Sequence, residues 1–125
     1  MILGLGTDVV EVARIAGLVA RHGARFLDRC FRPGEQELAR RRGRGGAAAL
    51  AARWAAREAF LKALGGDVQG IPYRDIEVVR AATGAPALRL HGRAAAALAA
   101  RGGRRVHVAL SHERAYAVAT VVIED

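Results

Sequence analysis

The chain has 125 residues, of which 52% are hydrophobic, and its formal net charge is +8. A chain of this length fits one compact domain that hides about two thirds of its unfolded surface. No apolar run approaches the roughly 18 residues of a membrane span, and no leader pattern begins the chain. We therefore expect one cytoplasmic domain, residues 1–125, without a membrane partner, and its charge predicts a salt-sensitive attraction to phosphates or acidic proteins.

The first half of the chain predicts one strand followed by helices. Residues 2–10 are apolar and β-branched, which predicts a strand, and apolar residues at helical spacing follow over 12–19. A short helix begins after Pro33, and "RGRGG" at 42–46 predicts a flexible break. The alanine-rich stretch from about 47 to 64 forms the longest predicted helix, which two glycines end.

The second half predicts two hairpins around one helix. Short strands at 75–80 and 87–91 flank the turn "TGAP", and a helix follows over 92–101. The stretches 104–110 and 116–124 alternate in hydrophobicity, so we expect a hairpin joined through "SHER". The predicted fold class is α+β, with a small, mostly antiparallel sheet packed on the long central helix.

The only lysine of the chain, Lys62, lies four residues after Glu58 and therefore on the same face of the predicted helix. The simpler interpretation is an ion pair, which stabilises a helix by about 0.3–0.5 kcal/mol. Arginine fills every other basic position and would form that pair equally well. A compact ammonium suits a single phosphate oxygen or a proton transfer better than a guanidinium does. Arg53 lies five residues before Glu58, obliquely round the same helix.

Asp8 ends the first predicted strand after "GLGT", which lacks the third glycine of a dinucleotide-binding fingerprint. Asp8 or Thr7 could cap the helix that starts near residue 11. If Asp8 and Glu58 converge instead, they form an oxygen-only site suited to Mg²⁺ with waters and substrate phosphates. The ion would offset a carboxylate–phosphate repulsion of roughly 4 kcal/mol at about 4 Å and an effective dielectric near 20. Lys62 would then lie beside the same phosphates.

Ser111 and His112 fall in the predicted turn between the last two strands. Such a pair is usually solvated, and the residue order does not indicate a hydrolase triad, but both side chains could donate hydrogen bonds to a ligand. The other histidines lack metal-ligand spacing and are interpreted as structural or exposed: His22, His91 and His107.

Five segments, in order and across nearly the whole chain, resemble the short bacterial holo-[acyl-carrier-protein] synthases of the 4'-phosphopantetheinyl transferase superfamily. The resemblance is carried by "GLGTDVVEVARI", "RFLDRCF", "AARWAAREAFLKALG", "TGAPALRL" and "HVALSHERAYAVATVVIE". An early G-x-D followed by R-[FW]-A-x-[KR]-E-A-x-x-K-A-x-G is far more specific as a pair than either motif alone. One departure is Arg57, where lysine is frequent in the family, which keeps the charge and alters the hydrogen-bond geometry.

The resemblance implies a magnesium-dependent transfer of 4'-phosphopantetheine from coenzyme A to a serine of apo acyl carrier protein, with release of adenosine 3',5'-bisphosphate. Asp8 and Glu58 would hold Mg²⁺ against the diphosphate, and Lys62 would contact the phosphates or assist proton movement. The general base stays open between Glu58 and a metal-bound water. The remaining residues implied in coenzyme A binding are Arg53, Gly65, Ser111 and His112, with Gly84 and Pro86 nearer its adenine end.

The resemblance also implies partners. The acidic carrier protein would dock on the first helix and the following segment, where Arg14, Arg21 and Arg25 match the family, although these arginines could equally form an ordinary solvated face. Arg14 and Arg21 are seven residues apart and share a helical face. The family is typically homotrimeric, with active sites between subunits.

Two other interpretations compete with an enzyme. A small basic domain could bind nucleic acid through its phosphates, but the six aromatic residues do not interleave with arginines as stacking platforms would. A family member that is no longer under selection for catalysis could serve as a non-catalytic subunit of a synthase assembly. The presence of Asp8, Glu58 and Lys62 together favours the enzyme, without a nucleic-acid partner.

Overall fold

The computed structural model describes residues 1–66 and 68–125. Two short 3-10 turns lie at Gly43–Gly45 and Tyr73–Asp75. The helices and strands, in chain order, are β1 (Ile2–Glu11), α1 (Val12–His22), α2 (Ala24–Cys30), α3 (Pro33–Arg41), α4 (Gly46–Leu64), β2 (Ile76–Arg80), β3 (Pro86–Leu90), α5 (Gly92–Ala100), β4 (Arg105–Glu113) and β5 (Tyr116–Glu124).

The strands form two antiparallel sheets. One has the order β1-β5-β4, and β2 and β3 form a separate hairpin. The first and last strands of the chain are therefore neighbours, with Asp8 opposite Ala119 and Val9 opposite Val118. The predicted α+β class with small antiparallel sheets on a long central helix is confirmed. Among the helices that the structure describes, none is both long and apolar enough to cross a membrane.

Helix α4 is alanine-rich because the core surrounds it on nearly every side. Ala51, Ala55 and Ala59 are fully buried, and alanine combines high helix propensity with a side chain small enough for close packing. Strand β1 packs closely against these alanines because it has glycine at positions 4 and 6. A Cβ atom at Gly4 would overlap the carbonyl oxygen of Ala63, and one at Gly6 would overlap that of Ala59. The backbones of β1 and α4 are therefore in direct contact.

A buried ion pair joins α3 to α4. The guanidinium of Arg57 donates to both carboxylate oxygens of Glu35, at 2.9 and 2.6 Å, and both side chains are essentially inaccessible. Glu35 also accepts hydrogen bonds from the backbone N–H groups of Arg32 and Val78, and Arg57 Nε donates to the carbonyl of Tyr73 at 2.9 Å. Removing one partner of such a pair costs about 3–5 kcal/mol. Arginine suits this position because lysine cannot form the planar double hydrogen bond.

Several local expectations differ from the structure. Residues 24–30 form α2, for which no helix was expected, and Gly43–Gly45 form an ordered 3-10 turn where a flexible break was expected. Ser111 and His112 lie in β4, because this strand continues into "SHER" as far as Glu113 and the hairpin turns at Arg114, whose φ is 52°. Asp8 does not cap α1, since β1 continues to Glu11 and the N-cap residue Glu11 makes no side-chain cap bond.

The contact of β1 with α4 predicts that Gly6→Ala is strongly destabilising. The added methyl group would overlap helix backbone, which cannot rotate away as a side chain can, and overpacking of this kind costs about 1–3 kcal/mol or more. Gly17→Ala is the matched control, because a Cβ at Gly17 in α1 meets nothing within 4 Å and alanine favours a helix by about 0.5–1 kcal/mol. Chemical denaturation would measure both variants, and equal stabilities would contradict the close contact.

Candidate active site

Lys62 and Asp8 meet where β1 lies on α4. Lys62 Nζ donates to Asp8 Oδ1 at 3.1 Å and to the carbonyl of Thr7 at 3.0 Å. The Asp8 side chain is 17% exposed and that of Lys62 is 55% exposed, so the pair opens to solvent. An ammonium has three donors, and these two bonds leave one for a ligand. Among the described residues Lys62 pairs with Asp8, and not with Glu58 as the simple helical ion pair would require.

Glu58 lies one helical turn before Lys62 on α4, which packs directly on β1. Along β1, the nearest helix carbonyl changes from Ala63 at Gly4 to Ala59 at Gly6, which is one helical turn. Two strand residues advance about 6.6 Å and one helical turn about 5.4 Å, so Asp8 lies level with the next turn toward the helix N-terminus. Glu58 and Lys62 directly precede Ala59 and Ala63, and their spacing of four residues puts them on one face of α4. The structure thus brings Lys62 to Asp8, with Glu58 one helical turn before Lys62 on the same helix.

The half-buried Glu58 has a partner that the sequence did not indicate. The hydroxyl of Tyr73 donates to Glu58 Oε1 at 2.6 Å. Burial of the phenol, reinforced by this hydrogen bond to a carboxylate, raises the pKa of Tyr73 well above its usual value. Tyr73 therefore stays protonated and acts as the donor. No donor within residues 1–66 and 68–125 bonds the other oxygen, Oε2.

The donor chemistry at this edge fits a hard cation that keeps several waters. Asp8 and Glu58 offer carboxylate oxygens only, which is the donor type that Mg²⁺ prefers. In the part of the chain that the structure describes, no group of three or more His, Cys, Asp or Glu side chains is gathered as a metal site. Any cation held here would therefore depend on water and substrate oxygens for its remaining ligands.

A second cluster lies in a cavity of about 190 Å³ between α4, the β2–β3 hairpin and β4. Arg53 is only 6% exposed there, and its Nη1 donates to the carbonyl of Ala49 at 3.1 Å. Its Nε has no hydrogen-bond partner among the described residues. Burial lowers the pKa of Arg53 to about 10, Glu35 opposes this shift, and the nearby cations Arg42 and Arg80 add to it. A buried guanidinium with an unmatched donor, beside two more cations, is suited to an anion.

The cavity gathers some of the residues that the resemblance implied in coenzyme A binding and separates them from the rest. Its lining includes Arg53, Pro86, Ser111 and His112. Asp8, Glu58 and Lys62 do not line it. Gly65 ends α4 one turn after Lys62 with φ 97°, and Gly84 occupies the β2–β3 turn with φ 89° and accepts a hydrogen bond from Arg80. Within one chain, the carboxylate edge and the cationic cavity are therefore two separate places.

The arginines expected to dock a carrier protein are all exposed. Arg14 and Arg21 lie on α1 and Arg25 on α2. The Arg14 guanidinium lies 5.8 Å from the centroid of the Trp54 ring. Of the other histidines, His91 contacts Glu77 and His107 contacts Glu124, which agrees with structural or exposed roles.

Sequence reasoning missed Tyr73, Arg42 and Arg80. Tyr73 lies 15 residues after Glu58, and a 3-10 turn rather than a helical period brings the two together. Arg42 and Arg80 could not be singled out, because arginine is so common in this chain that its presence at a given position does not indicate a ligand site. Only the lone lysine stood out by residue type, whereas Asp8 and Glu58 stood out by their positions in the motifs.

Known proteins resemble this chain over its whole length. The sequence model of the 4'-phosphopantetheinyl transferase superfamily matches residues 4–121. A protein named holo-[acyl-carrier-protein] synthase from Gloeobacter violaceus is 46% identical over 119 residues, which are 95% of this chain and 90% of that one. A second protein of that name, from Koribacter versatilis, is 44% identical over 126 residues and matches in full on both sides.

Solved structures agree with the sequence comparison. The crystal structure of holo-[acyl-carrier-protein] synthase from Neisseria meningitidis superposes with a TM-score of 0.87 at 35% identity, covering 100% of both chains. That of the Helicobacter pylori synthase in complex with coenzyme A gives a TM-score of 0.81 at 27% identity, covering 96% of this chain and 99% of that one. The resemblance predicted from the motifs is confirmed, and the chain belongs to the 4'-phosphopantetheinyl transferase superfamily.

Proposed function

We propose that this chain, as one transferase domain, moves the 4'-phosphopantetheine group of coenzyme A to a serine of apo acyl carrier protein. The observation that carries the proposal is the meeting of Asp8 and Lys62 one helical turn from Glu58, at an open edge of the protein. Relatives that match the chain over their full length are named for this activity, and a solved relative is in complex with coenzyme A.

The reaction is a displacement at phosphorus. The serine hydroxyl of the carrier attacks the β-phosphorus of coenzyme A, the bond to the bridging oxygen breaks, and adenosine 3',5'-bisphosphate leaves. Such transfers depend mainly on positioning and charge stabilisation. Asp8 and Glu58 would hold Mg²⁺, which neutralises developing charge on the diphosphate. Lys62 places its remaining N–H on a phosphate oxygen, and Glu58 Oε2 can hold the cation or accept the proton of the serine.

The cationic cavity would take the nucleotide end of coenzyme A. Arg53 offers a buried, unmatched donor, Ser111 and His112 lie at the rim of the cavity, and Pro86 follows the Gly84 turn. Because this cavity and the carboxylate edge are separate within one chain, we infer that one active site combines the cavity of one copy with the carboxylates of another.

An uncovered sheet face supports assembly into a homotrimer. The face of the β1-β5-β4 sheet turned away from α4 exposes Leu5, Val9 and Val118, and Leu5 and Val9 are 66% and 61% exposed. Adjacent apolar side chains on an open sheet are typical of a surface that another protein covers. Burial of this face between copies of the chain would also bring cavity and carboxylates of different copies together.

Neither alternative function is favoured by an observation in the structure. A nucleic-acid module would present aromatic rings for base stacking, whereas Trp54 is buried and packs on Tyr73 with ring centroids 4.8 Å apart. A non-catalytic subunit would not need Lys62 and Asp8 to meet. We therefore propose an enzyme whose macromolecular partner is an acidic carrier protein and not a nucleic acid.

The proposed transfer is tested by mass spectrometry of apo carrier protein after incubation with the chain, coenzyme A and Mg²⁺. We expect the carrier to gain one phosphopantetheine, and EDTA to abolish the gain. Asp8→Ala and Glu58→Ala should each lower kcat by about 100-fold or more, since each removes a charge-stabilising contact of the transition state. Glu37→Ala, which removes an exposed carboxylate on α3, is the control. Full activity of both site variants would refute the metal assignment.

Carrier docking predicts a selective change in KM. Arg14→Glu combined with Arg21→Glu should raise the KM for carrier protein much more than the KM for coenzyme A, because the variant repels an acidic surface. Added salt should weaken carrier binding to the wild type. Arg89→Glu with Arg104→Glu makes the same charge change at other exposed positions and controls for net charge. Equal effects on both KM values would count against this docking face.

The proposed trimer predicts a mass of three chains of 13.2 kDa by light scattering. Val9→Glu should give folded monomers with little transferase activity, because it puts a charge into the apolar face. Val9→Thr keeps the side-chain shape and should stay trimeric. A monomeric, active wild type would contradict the shared active site.

A further inference from the structure

Within residues 1–66 and 68–125, Tyr73 is the one residue whose side chain bonds Glu58. We propose that Tyr73 is a positioning residue, whose hydroxyl holds one oxygen of Glu58 so that the other faces the cation and the phosphates. This inference rests on the proposed function, because it assigns Glu58 a cation to hold. Nothing in the motif around Glu58 assigns a role to Tyr73.

The hydrogen bond is short and has a fixed direction. At 2.6 Å from the tyrosine oxygen to Glu58 Oε1, it has the length of a bond between a hydroxyl and an ionised carboxylate. A half-buried glutamate on a helix can otherwise sample several rotamers. Because Oε1 is engaged, Glu58 would meet the cation through Oε2 alone, which leaves more positions on the cation for water and phosphate oxygens.

Tyr73 is itself held from two sides. Its carbonyl accepts the hydrogen bond from Arg57 Nε at 2.9 Å, and Arg57 is locked in the buried pair with Glu35. Its ring packs on Trp54 at 4.8 Å between centroids, and Trp54 packs in turn on Phe26 at 6.0 Å. The hydroxyl is thus placed by the core.

Arg57 connects the buried Glu35 to Tyr73. The terminal nitrogens of Arg57 bond Glu35, and its Nε, which Glu35 does not engage, donates to the Tyr73 carbonyl. Glu35, Arg57, Tyr73 and Glu58 therefore form a continuous series from the buried ion pair to the exposed edge. Partners of this kind change metal affinity by about 10–100-fold when they are removed.

Tyr73→Phe tests the inference, because it deletes the hydroxyl and keeps the ring that packs on Trp54. Mn²⁺ binding without substrates, measured by electron paramagnetic resonance, should weaken by about tenfold, and kcat should fall while the KM for carrier protein stays unchanged. The melting temperature without metal should fall only by the few degrees that the loss of one hydrogen bond causes. Tyr116→Phe removes the hydroxyl of the other tyrosine, which lies opposite Glu11 on β5, and should alter none of these quantities.

A thermodynamic cycle separates positioning from a general loss of structure. In a Glu58→Gln background, Tyr73→Phe should have almost no further effect on Mn²⁺ affinity, since the charged oxygen that it orients is gone. If the wild type binds Mn²⁺ and transfers phosphopantetheine and the Tyr73→Phe variant does both equally well, this inference is overturned and the proposed function is not. A Tyr73→Phe variant with a lower melting temperature and unchanged Mn²⁺ affinity would also overturn this inference. A wild type that does neither would overturn the proposed function and this inference with it.

Discussion

The direct contact between the backbones of β1 and α4 is the constraint on which the rest of the site depends. Glycine at positions 4 and 6 and alanine at 59 and 63 leave no side chain between the strand and the helix. Asp8, the next residue on the same face of β1, can then reach Lys62. A wider separation would move the carboxylate of Asp8 out of hydrogen-bond reach of Lys62.

The charges of the chain divide into three kinds by their surroundings. Arg57 is buried and matched by Glu35, so it holds the fold together and anchors Tyr73. Arg53 is buried but only partly matched, and it lines a cavity together with Arg42 and Arg80. Arg14, Arg21 and Arg25 are exposed on α1 and α2. The net charge of +8 thus combines structural, ligand-directed and surface contributions, and only the last of these depends strongly on salt.

The lone lysine fits this arrangement better than another arginine would. The ammonium nitrogen of Lys62 donates one hydrogen bond to the Thr7 carbonyl and one to the Asp8 carboxylate. Its third N–H remains available for a ligand. A guanidinium would present a planar fork to Asp8 and occupy both of its oxygens. That would compete with a cation for the carboxylate. Lys62 neutralises the charge of Asp8 but bonds only its Oδ1, which leaves Oδ2 available to a cation.

The sequence predicted the elements and residues whose signals are local. The alanine-rich helix α4 and the β4–β5 hairpin follow from periodicity. Residue type and motif order singled out Asp8 and Lys62, which the structure brings into contact. Helix α2 was missed because its seven residues are too few for a clear period, and β4 was ended too early because "SHER" has the composition of a turn. Tyr73 could not be predicted, since its contact with Glu58 depends on how a 3-10 turn folds against α4.

A crystal structure of the protein with Mn²⁺ and coenzyme A is the most direct test of the central claim, that Asp8 and Glu58 share one cation against the diphosphate. We expect one anomalous-scattering peak that contacts a carboxylate oxygen of each residue and an oxygen of the diphosphate. A Mn²⁺ ion that contacts only one of the two residues, or a diphosphate bound away from this edge, would contradict it.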